Sequence, residues 1–175
     1  MVSYKLYYFP LHARGEFIRI IFNQAGVPFE DVVLSFEEWP KKKPESPMGG
    51  MPILEVDGKQ IGQSLAIGHF LGKKFGMAGS NEIEEAQALM LAAGIEDFLH
   101  KLTDFLMAKF HKKDEVLAKV EYEKAKKEFI PTWLGLYENW LKKNGTGWLV
   151  GRNVTWADII LAEYTHRFST FDYIS

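Results

Sequence analysis

The 175-residue sequence predicts two domains of different class. An α/β domain of order βαβ–ββα occupies residues 1–75, and an all-helical domain occupies residues 82–175, joined by a linker at 76–81. Three observations predict this. Short aromatic or apolar runs of strand length occur at Tyr4–Phe9, Phe29–Leu34, Ile53–Val56 and from Gln60 onward. Helical spacing of apolar residues fills the stretches after the first and the last of these runs. Beyond the linker, "GMAGSN", only helical periodicity remains.

Each element has a local reason. Tyr4-Lys5-Leu6-Tyr7-Tyr8-Phe9 is aromatic-rich and reads as a buried strand. Pro10 to Arg14 is a loop. Glu16 to Ala25 is a helix with Phe17, Ile20, Ile21 and Phe22 near helical spacing, stopped by Gly26 and by Pro28. Phe29 to Leu34 is the second strand, and a crossover of this kind makes the pair parallel and right-handed. Ser35 to Pro47, "SFEEWPKKKPESP", has three prolines and little periodicity, so one helical turn in an irregular segment is expected. Asp57-Gly58 is a strong hairpin signal between Ile53–Val56 and an antiparallel fourth strand. Ser64 to Phe75 is a helix with Ile67, Phe70 and Leu71 on one face and Gly76 as its stop.

In the second domain one long helix is expected from Glu82 to about Phe110. Another is expected from about Asp114 to Lys143, kinked near Pro131. Gly145 to Arg152 is a loop. Thr155-Trp156-Ala157-Asp158 has the form of a capping box with Asp in place of Glu or Gln, flanked by Val154 and Ile159 as a hydrophobic staple. The helix it opens is expected to run to the chain end.

Composition excludes several classes of function. Apolar residues make up 47% of the chain, enough for a real core, yet no apolar run approaches the roughly 20 residues of a membrane span. The start, "MVSYKLYYFPLHARGE", lacks the pattern of a secretory signal, so a cytoplasmic location is expected. Without cysteine there is no disulfide, thiolate metal site or cysteine nucleophile. His12, His69, His100, His111 and His166 include no i, i+4 pair, so no histidine metal site is expected. With a net charge of −2 and no long basic stripe interleaved with aromatics, nucleic acid is not an expected partner. Two glycosylation sequons, at Asn144 and Asn153, are expected to be unmodified.

The chemistry concentrates in "GMPILEVDGKQIGQS". Pro52 stands directly before the third strand, where a residue without an N–H is tolerated. The hairpin then delivers Gln63-Ser64 to the mouth of a helix, whose free N–H groups and dipole hold a carboxylate well. A βαβ–ββα order with proline before the third strand is the pattern of the thioredoxin fold, in which a cis-proline turns a backbone edge towards an extended peptide. Over the whole chain, "YKLYYF", "ARGE", "MPILEVDGK", "QSLAI" before a helix, and "TWAD", in that order, resemble the glutathione transferases. Tyr8, Trp39 and the acidic pair Glu96-Asp97 look most like the sigma class, which includes glutathione-dependent prostaglandin D synthases.

The resemblance implies a role for each matching residue. Tyr8 is similar to the catalytic tyrosine whose hydroxyl donates to the glutathione sulfur. A thiol of pKa about 8.5 is mostly un-ionised at neutral pH. A hundredfold gain in thiolate takes roughly 2.7 kcal/mol, and one hydrogen bond to a charged group supplies roughly 1.5–3 kcal/mol. Arg14 matches the arginine that supports this tyrosine. Trp39 and Lys43 match positions that hold the glycine carboxylate. The backbone of Met51, before Pro52, matches the partner of the cysteinyl unit, and Gln63 and Ser64 match the γ-glutamyl carboxylate site. Asp97 matches the residue that reaches the γ-glutamyl ammonium from the neighbouring subunit of a homodimer. Glutathione is thus the implied cosubstrate, with a small hydrophobic electrophile as the other partner and no metal. The implied reaction is addition of the thiolate to an electrophilic carbon or isomerisation of an endoperoxide.

Three departures from the family pattern stand out. Gly50 replaces a polar residue, and His12 stands where Arg or Gly is usual. The chain stops at Ser175, after its third long helix, whereas family members continue through further helices. The electrophile is expected between Tyr8, the loop around His12 and the helix holding Phe105 to Phe110. The last helix carries Trp156, Ile159, Ile160, Leu161, Ala162, Phe168, Phe171 and Ile174 on more than one face, so an exposed apolar patch along it is expected. Two other readings are a catalytically weak ligand-binding or structural relative and a transferase-like interaction module; the completeness of the set at 8, 14, 39, 43, 63, 64 and 97 favours the enzyme.

Overall fold

The computed structural model describes residues 2–170, apart from the side chains of residues 110, 111 and 170. The chain divides into two compact units, Met1–Ser80 and Asn81–Ser175.

The first unit is built on a four-stranded sheet. Its strands are β1 (Tyr4–Tyr8), β2 (Glu30–Val33), β3 (Ile53–Val56) and β4 (Lys59–Gly62), in the order β2-β1-β3-β4. β1 and β2 are parallel, and the other two pairings are antiparallel. Helices α1 (Ala13–Ala25) and α3 (Ser64–Lys74) pack together, and a single turn, α2 (Trp39–Lys42), followed by a 3₁₀ turn at Lys43–Glu45, interrupts the irregular segment. Along β1 the side chains alternate: Tyr4, Leu6 and Tyr8 are buried, while Lys5 and Tyr7 are half-exposed. The Tyr4 ring meets Phe22 of α1 and Phe75, just past α3, edge-on at 5.2 and 6.0 Å. The core of this layer is Leu6, Phe17, Ile18, Ile21, Phe22, Ile53, Leu54, Ile67 and Leu71, each wholly buried. Burial of one such side chain is worth roughly 1.5–3 kcal/mol, so the sheet and its two helices stabilise one another. On the opposite face Lys42 of α2 lies 4.7 Å above the Tyr7 ring.

The turn signals act as expected. Gly26 takes the left-handed conformation that closes α1, and both Asp57 and Gly58 have positive φ, which a two-residue hairpin of this twist requires. One boundary differs by several residues: α1 begins at Ala13, three residues before Glu16, and includes Gly15.

The second unit is helical, and here the expected long helices are broken. The first divides into α4 (Glu82–Lys101), a short α5 (Thr103–Leu106) and a π-helical stretch at Met107–Lys112. Buried Leu102 is the break: its N–H bonds to the carbonyls of both Phe98 and Leu99, which tightens the last turn of α4. The second divides at Phe129 into α6 (Glu115–Glu128) and α7 (Ile130–Asn144), with Pro131 in the first turn of α7, where a missing N–H costs nothing. The last helix is α8 (Trp156–Thr170), and the expectation for 171–175 lies outside the described residues. Asn81 caps α4 by accepting from the N–H groups of Ile83 and Glu84 at 3.1 and 3.0 Å.

α7 approaches α4 at Gly94, where a Cβ would stand 2.8 Å from the Tyr137 hydroxyl. That hydroxyl donates to the Leu91 carbonyl at 2.7 Å. Phe98 stacks on Trp133 at 3.9 Å and meets Phe168 of α8 edge-on at 5.5 Å. The start of α8 is held by Asp158, whose carboxylate accepts from the N–H groups of Leu149 and Thr155 and from the Thr155 hydroxyl, at 2.7–2.8 Å. The box is therefore one-sided in its side chains, because the threonine hydroxyl donates to Asp158 instead of accepting from its N–H. Among the described residues, α8 shows no exposed large apolar side chain: Trp156, Ile159, Ile160, Tyr164 and Phe168 are buried in a layer that includes α4. The expected patch is thus absent there, and the exposed apolar residues of this unit include Val116 and Val120 on α6 and Leu134 and Leu136 on α7. The loop before α8 is tied by Asn144, whose side-chain nitrogen donates to Thr146 Oγ1 at 2.7 Å and to the carbonyls of Trp148 and Gly151 at 2.8 Å each.

Candidate active site

Strand register assembles the site. β1 and β3 pair Tyr7 with Ile53, so Tyr8 and Pro52 follow that pair at the same end of the two strands. β3 and β4 pair Ile53 with Gly62, so Pro52 and Gln63 both lie just beyond that pair, at the same end. The parallel pair places Val33 beside Tyr8, and the Leu34 N–H donates to the Tyr8 carbonyl at 2.8 Å, so the segment leading to Trp39 leaves from the same end of the sheet. Tyr8, Met51-Pro52, Gln63-Ser64 and the Trp39–Lys43 segment, which are far apart in sequence, thus share one end of one sheet. The Met51–Pro52 peptide bond is cis.

Tyr8 is 6% exposed. Its ring lies on the first turn of α1, where only a residue without a side chain fits: a Cβ on Gly15 would stand 2.1 Å from the ring. Burial pushes the Tyr8 phenol above its ordinary value. The charge of Arg14, the Arg14 N–H, the charge of Arg19 and the Gly15 N–H pull the other way. Burial wins, so at neutral pH the hydroxyl keeps its proton and has it available to donate.

Arg14 lies on the exposed side of the same turn. His12 immediately precedes α1, with Nδ1 3.4 Å from Glu16 Oε2. Trp39 opens α2, half-buried, with its ring edge-on to Phe9 at 6.1 Å. Lys43 is exposed on the 3₁₀ turn, while its neighbour Lys42 is engaged with Glu45 and with the Tyr7 ring. Gly50 sits in a loop closed by Ser46, whose Oγ accepts from the Gly50 N–H and donates to the Gly50 carbonyl. Ser64 is buried at the start of α3, and Gln63 before it has φ 68° and ψ 116°. That conformation is strained for a residue with a side chain and costs on the order of 1–3 kcal/mol. Asp97 is exposed on α4, in the second unit. Of the helix expected to face the electrophile, Phe105 is instead an internal residue, 1% exposed and packed with Ala108, Ala118 and Tyr122; the Phe110 side chain lies outside the described residues.

The site also contains residues that sequence reasoning passes over. Gly15 is one. Arg19 is another: its guanidinium lies 5.8 Å from the Tyr8 ring centroid. The signal was an arginine inside the apolar run Phe17–Phe22, which burial obliges to be paired. Phe36 is the third, 62% exposed and stacked on Phe9 at 4.5 Å, which itself meets the Tyr8 ring at 5.7 Å. Among the described residues no group of three or more His, Cys, Asp or Glu is placed to hold a metal ion.

Residues 2–73 match the family described as glutathione S-transferase, N-terminal domain, and residues 96–173 match glutathione S-transferase, C-terminal domain. A probable glutathione S-transferase 6 of Caenorhabditis elegans is 41% identical over 168 residues, 94% of this chain and 79% of the relative. The solved structure of NaGST-2 superposes with a TM-score of 0.93 at 38% identity, covering 99% of this chain and 84% of the other. A glutathione S-transferase of the hookworm Necator americanus, described as monomeric, gives 0.84 at 39%, covering 97% and 82%. A prostaglandin synthase D of Nilaparvata lugens gives 0.83 at 35%, covering 96% and 82%.

Proposed function

Because the chain belongs to the glutathione S-transferase family of enzymes, with both domains of that family and relatives at 41% identity, we propose the following division of labour among its residues. The Tyr8 hydroxyl donates to the glutathione sulfur and favours its thiolate, and Arg14 supports Tyr8 electrostatically. Met51 offers its backbone, next to Pro52, to the cysteinyl unit. Gln63 and Ser64, at the positive end of α3, receive the γ-glutamyl carboxylate. Trp39 and Lys43 receive the glycine carboxylate, and Asp97 receives the γ-glutamyl ammonium of the neighbouring site in a homodimer. The sulfur then adds to an electrophilic carbon of a small apolar molecule, for which Phe9 and Phe36 offer aromatic surface beside Tyr8. We assign the chain to the sigma type, with endoperoxide isomerisation as a second reaction of the same thiolate and the cytoplasm as its location. The kinship to a prostaglandin synthase supports the isomerisation.

The observation that supports this reading is the strand register, which leaves Tyr8, Pro52 and Gln63 at the same end of the three adjacent strands β1, β3 and β4. A buried, protonated phenol suits the task, since a donor that stays neutral stabilises an anion without itself ionising. The test is turnover of a generic aryl halide by the wild type and by Tyr8→Phe, with glutathione-affinity retention as the binding control. The variant should bind glutathione nearly as well, turn over at least tenfold more slowly, and show a pH–rate profile displaced upward. Equal rates and profiles would remove Tyr8 from the chemistry, and a wild type retained by glutathione but inert to electrophiles would make the chain a binding protein.

A further inference from the structure

Arg19 sits among residues that leave no room for an unpaired charge: Phe17, Ile18, Ile21 and Phe22 are wholly buried. Its side chain is 14% exposed, and all three of its nitrogens are engaged. Nε donates to Asp31 Oδ2 at 2.8 Å. Nη1 donates to Glu16 Oε2 and to the Leu11 carbonyl, both at 3.0 Å. Nη2 donates to the Phe9 carbonyl at 3.5 Å. The two carboxylates come from α1 itself and from β2, so the guanidinium is tied to two separate elements. The two carbonyls flank Pro10 in the loop that follows Tyr8. A planar fork with five donors makes this set of contacts in fixed geometry, and a lysine ammonium does not.

We propose that Arg19 is the positioning residue for Tyr8: its fork pins the Phe9–Leu11 backbone to α1 and β2, and so holds the Tyr8 ring against Gly15 with its hydroxyl at the sulfur site. The inference rests on the reading of Tyr8 as donor to the thiolate. Geometry carries it, because the backbone on either side of Pro10 hangs from one side chain. The charge adds a second effect, since Arg19 and Arg14 together oppose the upward push of burial on the phenol. The charged groups around this cluster are Arg14, Glu16 and Arg19 of α1, Asp31 of β2 and the ionisable His12.

The test separates position from charge. Arg19→Lys keeps the charge and loses the fork; Arg19→Met loses both. Each is compared with the wild type after its fold is checked by circular dichroism. Tyr8 itself is read without glutathione, by fluorine NMR of 3-fluorotyrosine-labelled protein, its resonance identified by its loss in Tyr8→Phe. The expected result for Arg19→Lys is a shifted or broadened Tyr8 resonance and a kcat at least tenfold lower, with KM for glutathione within threefold. In Arg19→Met the Tyr8 titration also moves to higher pH. An unchanged Tyr8 resonance and titration in both folded variants would overturn the proposal. If both variants fail to fold, Asp31→Asn decides by the same resonance: a shifted signal supports the proposal and an unmoved one overturns it. A wild type that does not turn over at all would end the enzymatic reading while leaving the NMR comparison intact.

Discussion

Gly15 lies so close to Tyr8 that a Cβ there would stand 2.1 Å from the ring's Cδ1 and 2.5 Å from its Cγ. Those ring atoms are near the backbone and have nowhere to swing. Gly15→Ala should therefore destabilise the first unit by about 1–3 kcal/mol, the usual cost of overpacking. It should also slow turnover more than it weakens glutathione binding, because the ring must tilt. Thermal unfolding and steady-state kinetics check both parts. A variant as stable and as fast as the wild type would mean that the helix and ring separate easily.

Gln63 invites the opposite kind of change. Its positive φ costs on the order of 1–3 kcal/mol with a side chain present, against roughly 0.5–1 kcal/mol of extra chain entropy for glycine. Gln63→Gly should leave the protein about 1 kcal/mol more stable while weakening glutathione binding. Chemical denaturation and calorimetry measure the two effects. Loss of stability would show that the side chain repays its strain through contacts in the free protein.

The Asp97 assignment couples binding to assembly. Asp97→Ala should weaken glutathione binding by about 1–3 kcal/mol, the value of a hydrogen bond to a charged group, and only in a dimer. The hookworm relative described as monomeric makes the alternative concrete. Light scattering paired with calorimetry decides: a monomer that binds glutathione normally refutes the shared site.

Tyr122 predicts a limit to alkaline stability. Burial, then the charge of Glu123, pushes its pKa to about 12, whereas in the unfolded chain it ionises near 10. Between those values the folded chain binds more protons, so stability falls as pH rises, by up to roughly 2.7 kcal/mol near pH 12. Below pH 10 this contribution is constant. Tyr137, also raised by burial, adds in the same direction. Urea unfolding from pH 9 to 12 should show this fall, and Tyr122→Phe should flatten it by about 2 kcal/mol. Parallel curves for the two proteins would contradict the burial of the phenol.

What the sequence made legible was governed by local rules. The Asp57-Gly58 hairpin, the Gly26 stop and the Asp158 brace at the start of α8 each depend on a few neighbouring residues, and each is present. The first long helix breaks where apolar spacing runs on through Leu102, because periodicity does not register a turn that tightens; in the second, Pro131 marks the place of the kink but not that a new helix starts there. Phe105 was misplaced for a related reason: a sequence shows that it is apolar but not that Ala108, Ala118 and Tyr122 enclose it. Tyr8, Pro52 and Gln63 stand out in the sequence through motifs. Arg19 and Gly15 were missed because their significance lies in what they touch: a carboxylate twelve residues on, loop carbonyls, and the ring of another element.

The knot at Asn144 bears on the fate of its Asn-Gly-Thr sequon. An amide nitrogen carries two hydrogens, and here they serve three acceptors, Thr146 Oγ1 and the carbonyls of Trp148 and Gly151. A sugar attached to that nitrogen would leave one hydrogen for the three. Folding therefore engages the acceptor nitrogen, and a glycosylating enzyme would have to break these bonds or reach Asn144 before the loop between α7 and α8 had formed.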